Sequence, residues 1–179
     1  MKDGVPTLAE VDKWFETSVI PKRTTSAGFS INRIIKTPRG LLGNTSDPNG
    51  LCGDASLYVY EAFDKAFPKT FRDTSDGYQL GGILWEGAIL NHMANVMLPK
   101  SVGKLYVYEV KGKAPMPIVP ALEGRASYVM KKDTMSGKEL AGLHVYDLYY
   151  KKRTTVADWW QELDEMGGRI TVGLEQDFA

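Results

Sequence analysis

Three residue types in this chain could carry out covalent chemistry together. The only cysteine, Cys52, stands in Asn49-Gly50-Leu51-Cys52-Gly53-Asp54-Ala55-Ser56, where the turn Pro48-Asn49-Gly50 runs into a segment with Ala55, Val59, Ala62, Phe63 and Ala66 at helical spacing. The pattern predicts a helix from Leu51 to about Phe67 with a thiol on its first turn. There the unpaired backbone N–H groups and the positive end of the helix dipole favour a thiolate, the form in which cysteine is a nucleophile. The competing reading of Cys52 is a small buried apolar residue that packs the helix. Asp54 reads as a first-turn acid that complements the same dipole.

A cysteine nucleophile needs a base, and the base needs a third group to orient it. The chain has two histidines. His92 follows Cys52 by 40 residues and lies in Ile83 to Leu98, which reads as a helix or, with Gly87 and the alternation Leu90, His92, Ala94, Val96, Leu98, as a turn followed by a strand from about Ile89. Asp147, within Leu143 to Tyr150, is the best orienting carboxylate, because an acid among Val, Tyr and Leu is costly to bury unless a partner holds it. His144 is three residues from Asp147, which on a regular strand points the two side chains to opposite faces. Choosing Asp147 therefore selects His92 and makes His144 structural. Glu109, on the next strand after His92, is the competing orienter.

The elements that must position these residues follow from capping and periodicity. Thr7 with Glu10 forms a capping box opening a helix through about Val19, with Leu8, Val11, Trp14 and Phe15 as its apolar side and Pro21 ending it. The polar stretch from Lys22 to Asp47 reads as a surface lead-in with one possible short strand, Phe29 to Ile35. Pro68 to Gly82 is turn-rich and reads as a connector or a lid. Strands are expected at Leu105 to Val110, Ser127 to Met130, Leu143 to Tyr150 and Arg169 to Leu174. Met135-Ser136-Gly137 reads as a turn and Lys151-Lys152-Arg153 as a solvated one. Thr154 or Thr155 caps a helix through about Met166, closed by Gly167-Gly168, in which consecutive Trp159 and Trp160 leave room for only one in a central core. Helices first and an antiparallel sheet after define an α+β domain, with residues 1–179 expected as a single unit and 1–43 as a lead-in.

Bulk properties narrow the function. At 179 residues the chain can bury roughly 70 % of its unfolded surface without a staple. With 22 basic against 22 acidic residues it has no electrostatic pull toward nucleic acid or membranes. One cysteine excludes an internal disulfide, and one cysteine with two histidines cannot build a Cys/His zinc site, so no metal or cofactor is expected. No apolar run reaches the length of a membrane span. The start, Met1-Lys2-Asp3-Gly4-Val5-Pro6, lacks the apolar core of a signal peptide, so an export address is expected elsewhere, on a longer parent polypeptide.

The motifs N-G-L-C-G-D-A-S opening a helix, H-M-A-N-V-M-L-P, and V-Y-D-L-Y-Y followed by T-T-V-A-D-W-W resemble, in that order and over about residues 44 to 163, the papain-like fold of bacterial toxins and effectors. The resemblance implies a nucleophile helix packed on an antiparallel sheet, a Cys52-His92-Asp147 triad, and acyl transfer on a protein substrate of a host or competitor cell. It ranks glutamine deamidation above proteolysis and transglutamination. It also implies delivery into the target-cell cytoplasm and a cognate immunity or chaperone protein as a partner. To bring Asp147 to His92, the segment from about 105 to 140 must be an inserted hairpin. Papain-type enzymes carry a Gln before the Cys as an oxyanion donor, a place where this chain offers only Asn44 or Asn49. The rival classes are a non-enzymatic protein-binding domain with an inert Cys52 and, more remotely, a toxin acting on tRNA or nucleotides.

Overall fold

The computed structural model describes residues 6–25, 45–67, 78–86, 91–99, 106–111, 137–163 and 167–173. Helix α1, Leu8–Trp14, is capped by Thr7, whose hydroxyl accepts from the Glu10 N–H, as the capping box predicts. It continues through a wider turn over Phe15–Val19 and a tight turn over Ile20–Lys22, where Pro21 begins the final turn. Helix α2, Cys52–Ala66, begins one residue after its N-cap Leu51. Its buried positions, Cys52, Ala55, Ser56, Val59, Tyr60 and Phe63, recur at three and four residues and give it one inward stripe.

Six strands form one antiparallel sheet: β1 Tyr78–Glu86, β2 Asn91–Pro99, β3 Tyr106–Lys111, β4 His144–Asp147, β5 Lys152–Thr155 and β6 Gly167–Gly173. Their order is β3-β6-β1-β2-β4-β5. The described residues also form two short helices, α3 Gly137–Ala141 and α4 Val156–Leu163. The class is α+β, with α2 against the central strand β2.

Strand β2 is buried on both faces from Asn91 to Leu98. Ala94, Val96 and Leu98 pack with Val145, Leu140, Trp159 and Trp160. Met93 and Met97 pack toward α2, in clusters with Tyr60 and with Val59 and Phe63. The sheet is thus sandwiched between α2 on one side and α3 with α4 on the other, and the apolar transfer of these side chains is its main support.

Several expectations require correction. The turn-rich reading of Pro68 to Gly82 fails from Tyr78 onward, because Tyr78–Gly82 is the first half of β1, paired with β2. Gly81 serves close strand packing rather than a turn: a Cβ there would lie 2.4 Å from the Gly173 carbonyl oxygen and from the Leu98 side chain. The strand expected over Leu143 to Tyr150 stops at Asp147, whose own Oδ1 accepts the Tyr150 N–H and folds the chain into a turn. Lys151 closes that turn at φ 56°, and Lys152 and Arg153 belong to β5 rather than to a solvated loop. Trp159 and Trp160 are both fully buried, because α4 lies in the core instead of resting on it. Gly167-Gly168 opens β6 and does not close α4. Of the stretch expected as an inserted hairpin, the described strand β3 is an edge of the main sheet, paired with β6. The expected strands Phe29 to Ile35 and Ser127 to Met130 lie outside the described residues.

Candidate active site

Cys52 is the first residue of α2, and its position depends on the turn before it. Asp47 builds that turn twice over, its carbonyl accepting the Gly50 N–H at 3.1 Å and its carboxylate accepting the Asn49 N–H at 2.9 Å. A Cβ on Gly50 would fall 2.5 Å from Cβ of Asp54, so only glycine lets the turn pack on the first turn of the helix. Leu51 supplies no side-chain cap, so no N-cap side chain competes for the N–H groups of the first turn. The Cys52 side chain is 7 % exposed and packs with Tyr60, Leu84, Met93 and Tyr149.

His92 is the second residue of β2 and is fully buried. Its Nε2 lies 2.7 Å from Oδ2 of Asp147, the last residue of β4. The two meet because β4 pairs directly with β2, with Val145 opposite Val96 and Tyr146 opposite Asn95. Asp147 has two further donors, the Tyr150 N–H on Oδ1 and the Trp159 indole N–H on Oδ2, both at 2.9 Å. Aromatic rings enclose the imidazole: Tyr150 at 4.9 Å, Tyr149 at 5.5 Å and Trp159 at 5.9 Å between centroids.

The electrostatics follow from this enclosure. Burial disfavours a charged His92, but the charge and hydrogen bond of Asp147 outweigh it, and with a smaller contribution from Cys52 they raise the imidazole from 6.5 to about 9. Burial likewise opposes the charge on Asp147, yet His92 and the Tyr150 and Trp159 donors hold its carboxyl below the usual range. The other ring nitrogen of His92, Nδ1, is buried with no hydrogen-bond partner among the described residues. Cys52 is near enough to raise the pKa of the ring, while no hydrogen bond of ordinary geometry joins them.

The structure therefore brings Cys52, His92 and Asp147 into one cluster. His144 lies outside it, as the parity argument predicts: its Nδ1 is 3.0 Å from both carboxylate oxygens of Asp12. The Tyr146 hydroxyl donates to the same carboxylate at 2.6 Å, and burial together with that neighbour pushes its own ionisation up. Glu109 cannot orient His92. It lies on β3 opposite Arg169, with β6 and β1 between it and β2, about 14 Å away at the spacing of paired strands. Asn49 is occupied as an acceptor, its Oδ1 taking the backbone N–H groups and hydroxyls of Thr24 and Thr25. Asn44 lies outside the described residues.

Two contributors escaped the sequence reading. Trp159 looked like core filling, although a buried indole N–H needs an acceptor and the nearest strand acid was already in view. Arg23, 4 % exposed, donates through Nη1 to the Pro48 and Gly50 carbonyls, both at 2.8 Å, and follows Pro21-Lys22 with no sequence signal for burial.

Among the described residues no group of three or more His, Cys, Asp or Glu side chains could hold a metal ion, and no helix is long and apolar enough to cross a membrane. Comparison of the chain with protein-family models, with curated proteins and with solved structures finds no match.

Proposed function

We propose that this chain is a papain-like cysteine enzyme that performs acyl transfer on a protein substrate, with Cys52 as nucleophile, His92 as general base and acid, and Asp147 as the orienting carboxylate. One observation carries the reading: a buried histidine whose Nε2 is held by Asp147 and whose Nδ1 has no hydrogen-bond partner among the described residues, beside a thiol at the start of a helix. A purely structural histidine at that depth would use both ring nitrogens.

In the proposed reaction the ring of His92, raised to about 9 and so charged at pH 7, holds the Cys52 proton on Nδ1 while the sulfur attacks a carboxamide or peptide carbonyl carbon. The resulting oxyanion faces the N–H groups of the first turn of α2, which no N-cap side chain occupies. His92 returns the proton to the departing nitrogen as the C–N bond breaks and a thioester forms. It then deprotonates a water whose attack releases the acid and restores the thiol. Asp147 keeps the ring in one orientation throughout and supports its positive charge. With a glutamine side chain as substrate, ammonia leaves and glutamate remains. This is the outcome favoured by the resemblance to deamidating toxins and effectors, as is action inside a target cell.

The burial of Cys52 favours the rival reading, a protein-binding domain with an inert thiol. Iodoacetamide labelling separates the two. Cys52 should alkylate rapidly at pH 7 in the wild type and slowly after His92→Gln. A target-cell extract treated with wild-type protein, but not with Cys52→Ala, should then yield substrates heavier by about one dalton per deamidated site. Chain cleavage would assign proteolysis instead. A thiol that alkylates at the same slow rate with and without His92 would refute the enzyme reading.

A further inference from the structure

Among the described residues no carboxylate meets the charge of Arg23. The side chain is 4 % exposed and its Nε is buried without a partner. Among the described residues its guanidinium contacts two carbonyl oxygens and the face of Tyr149, 4.6 Å from the ring centroid. A buried cation compensated only by neutral groups is expensive to keep, which argues for a task that the charge or its planar fork performs.

Its partners identify the task. The Pro48 and Gly50 carbonyls belong to the turn that sets where α2, and hence Cys52, begins. Tyr149 packs in the cluster that contains Cys52 and meets the His92 ring edge-on at 5.5 Å. Thr24 and Thr25 extend the same contact by converging on Asn49 Oδ1. Residues 23–25 therefore cross the turn before the nucleophile like a strap, and Arg23 joins that turn to Tyr149, which itself packs with Cys52 and against His92.

We propose that Arg23 is a positioning residue for this site, fixing the Cys52 turn against Tyr149 and supplying positive charge on the Tyr149 side of the cluster that contains the thiol. The inference rests on the triad reading above. It adds to the site a residue that lies 29 positions before the nucleophile in sequence.

The test measures alkylation of Cys52 at pH 7 by neutral iodoacetamide and by anionic iodoacetate, in wild type, Arg23→Met, Arg23→Lys and His92→Gln. Arg23→Met should slow both reactions about tenfold and lower the iodoacetate-to-iodoacetamide ratio, because both placement and local charge are lost. Arg23→Lys should restore the ratio, with rates still about threefold below wild type, since an ammonium keeps the charge without the planar fork. A merely structural Arg23 would change the melting temperature without moving that ratio. If Arg23→Met does not fold, Arg23→Lys carries the test, and a wild-type rate in that variant overturns the inference. Arg23 variants at wild-type rates alongside a slow His92→Gln would overturn the role of Arg23 and leave the triad standing. A wild-type rate in His92→Gln would overturn the triad and this inference with it.

Discussion

Replacing Asp147 by Asn retains the shape of the side chain and removes its charge. In the wild type the carboxylate accepts from Tyr150, Trp159 and His92. An amide can keep the Tyr150 N–H on its oxygen, but its NH2 then faces the Trp159 indole N–H, donor against donor. His92 also loses the charge that offsets its burial. A rise from 6.5 to about 9 corresponds to about 3 kcal/mol in favour of the protonated ring. Because the folded-state value is raised, this stability is fully present below pH 6.5 and is lost as pH rises through 9. Asp147 runs the other way: its folded-state value is lowered, so its contribution is present above the unfolded value of 3.8 and is lost as pH falls below it. The pair is therefore most stabilising between those limits. Urea unfolding of both proteins from pH 5 to pH 10 should show wild type ahead by the most near pH 5 to 6, with the gap narrowing by about 3 kcal/mol toward pH 10. The NMR signal of the His92 ring should titrate near 9 in the wild type and below 6.5 in the variant. A stability gap constant across that range, with a wild-type ring titrating near 6.5, would refute the reasoning.

Trp159→Phe removes one donor to a buried carboxylate and should lower stability by about 2 kcal/mol in urea melts, with His92 still titrating well above 6.5. Asp12→Asn should weaken the attachment of α1 to β4 by about 1 to 2 kcal/mol while Cys52 alkylates within about twofold of wild type, because His144 and Tyr146 serve that contact and not the cluster around Cys52. Gly50→Ala forces a Cβ to within 2.5 Å of Asp54 Cβ and should both slow alkylation and lower the melting temperature.

How much of this was legible in sequence varies from residue to residue. Cys52 at a helix start was readable because the turn and the helical period are local signals. The choice of Asp147 over His144 was readable because strand parity is geometric: the structure places His144 against Asp12 and Asp147 against His92. Strand order was not readable. The pattern of Tyr106–Lys111 identifies a strand but not the edge it joins, so Glu109 looked adjacent to His92 when two strands separate them. Strand β1 was missed along its whole length because its glycines read as turns, whereas Gly81 is required by what packs on it. Trp159 and Arg23 were missed for a shared reason: each acts through a partner distant in sequence, and no local pattern encodes such a pairing.

The sheet order also sets a timetable. Strand β6, the last in sequence, lies between β3 and β1. Until Gly167–Gly173 has left the ribosome, β1 exposes an unpaired edge and β3 lacks its partner in the sheet, and open edges are the surface on which other chains aggregate. The hairpin of β1 with β2, and β4 beside it, can assemble from residues already synthesised, so the pieces around His92 and Asp147 are available early. Closure of the sheet waits for β6, and a stop codon placed just after α4 would yield a chain carrying all three candidate site residues with β1 open at one edge and β3 without its partner.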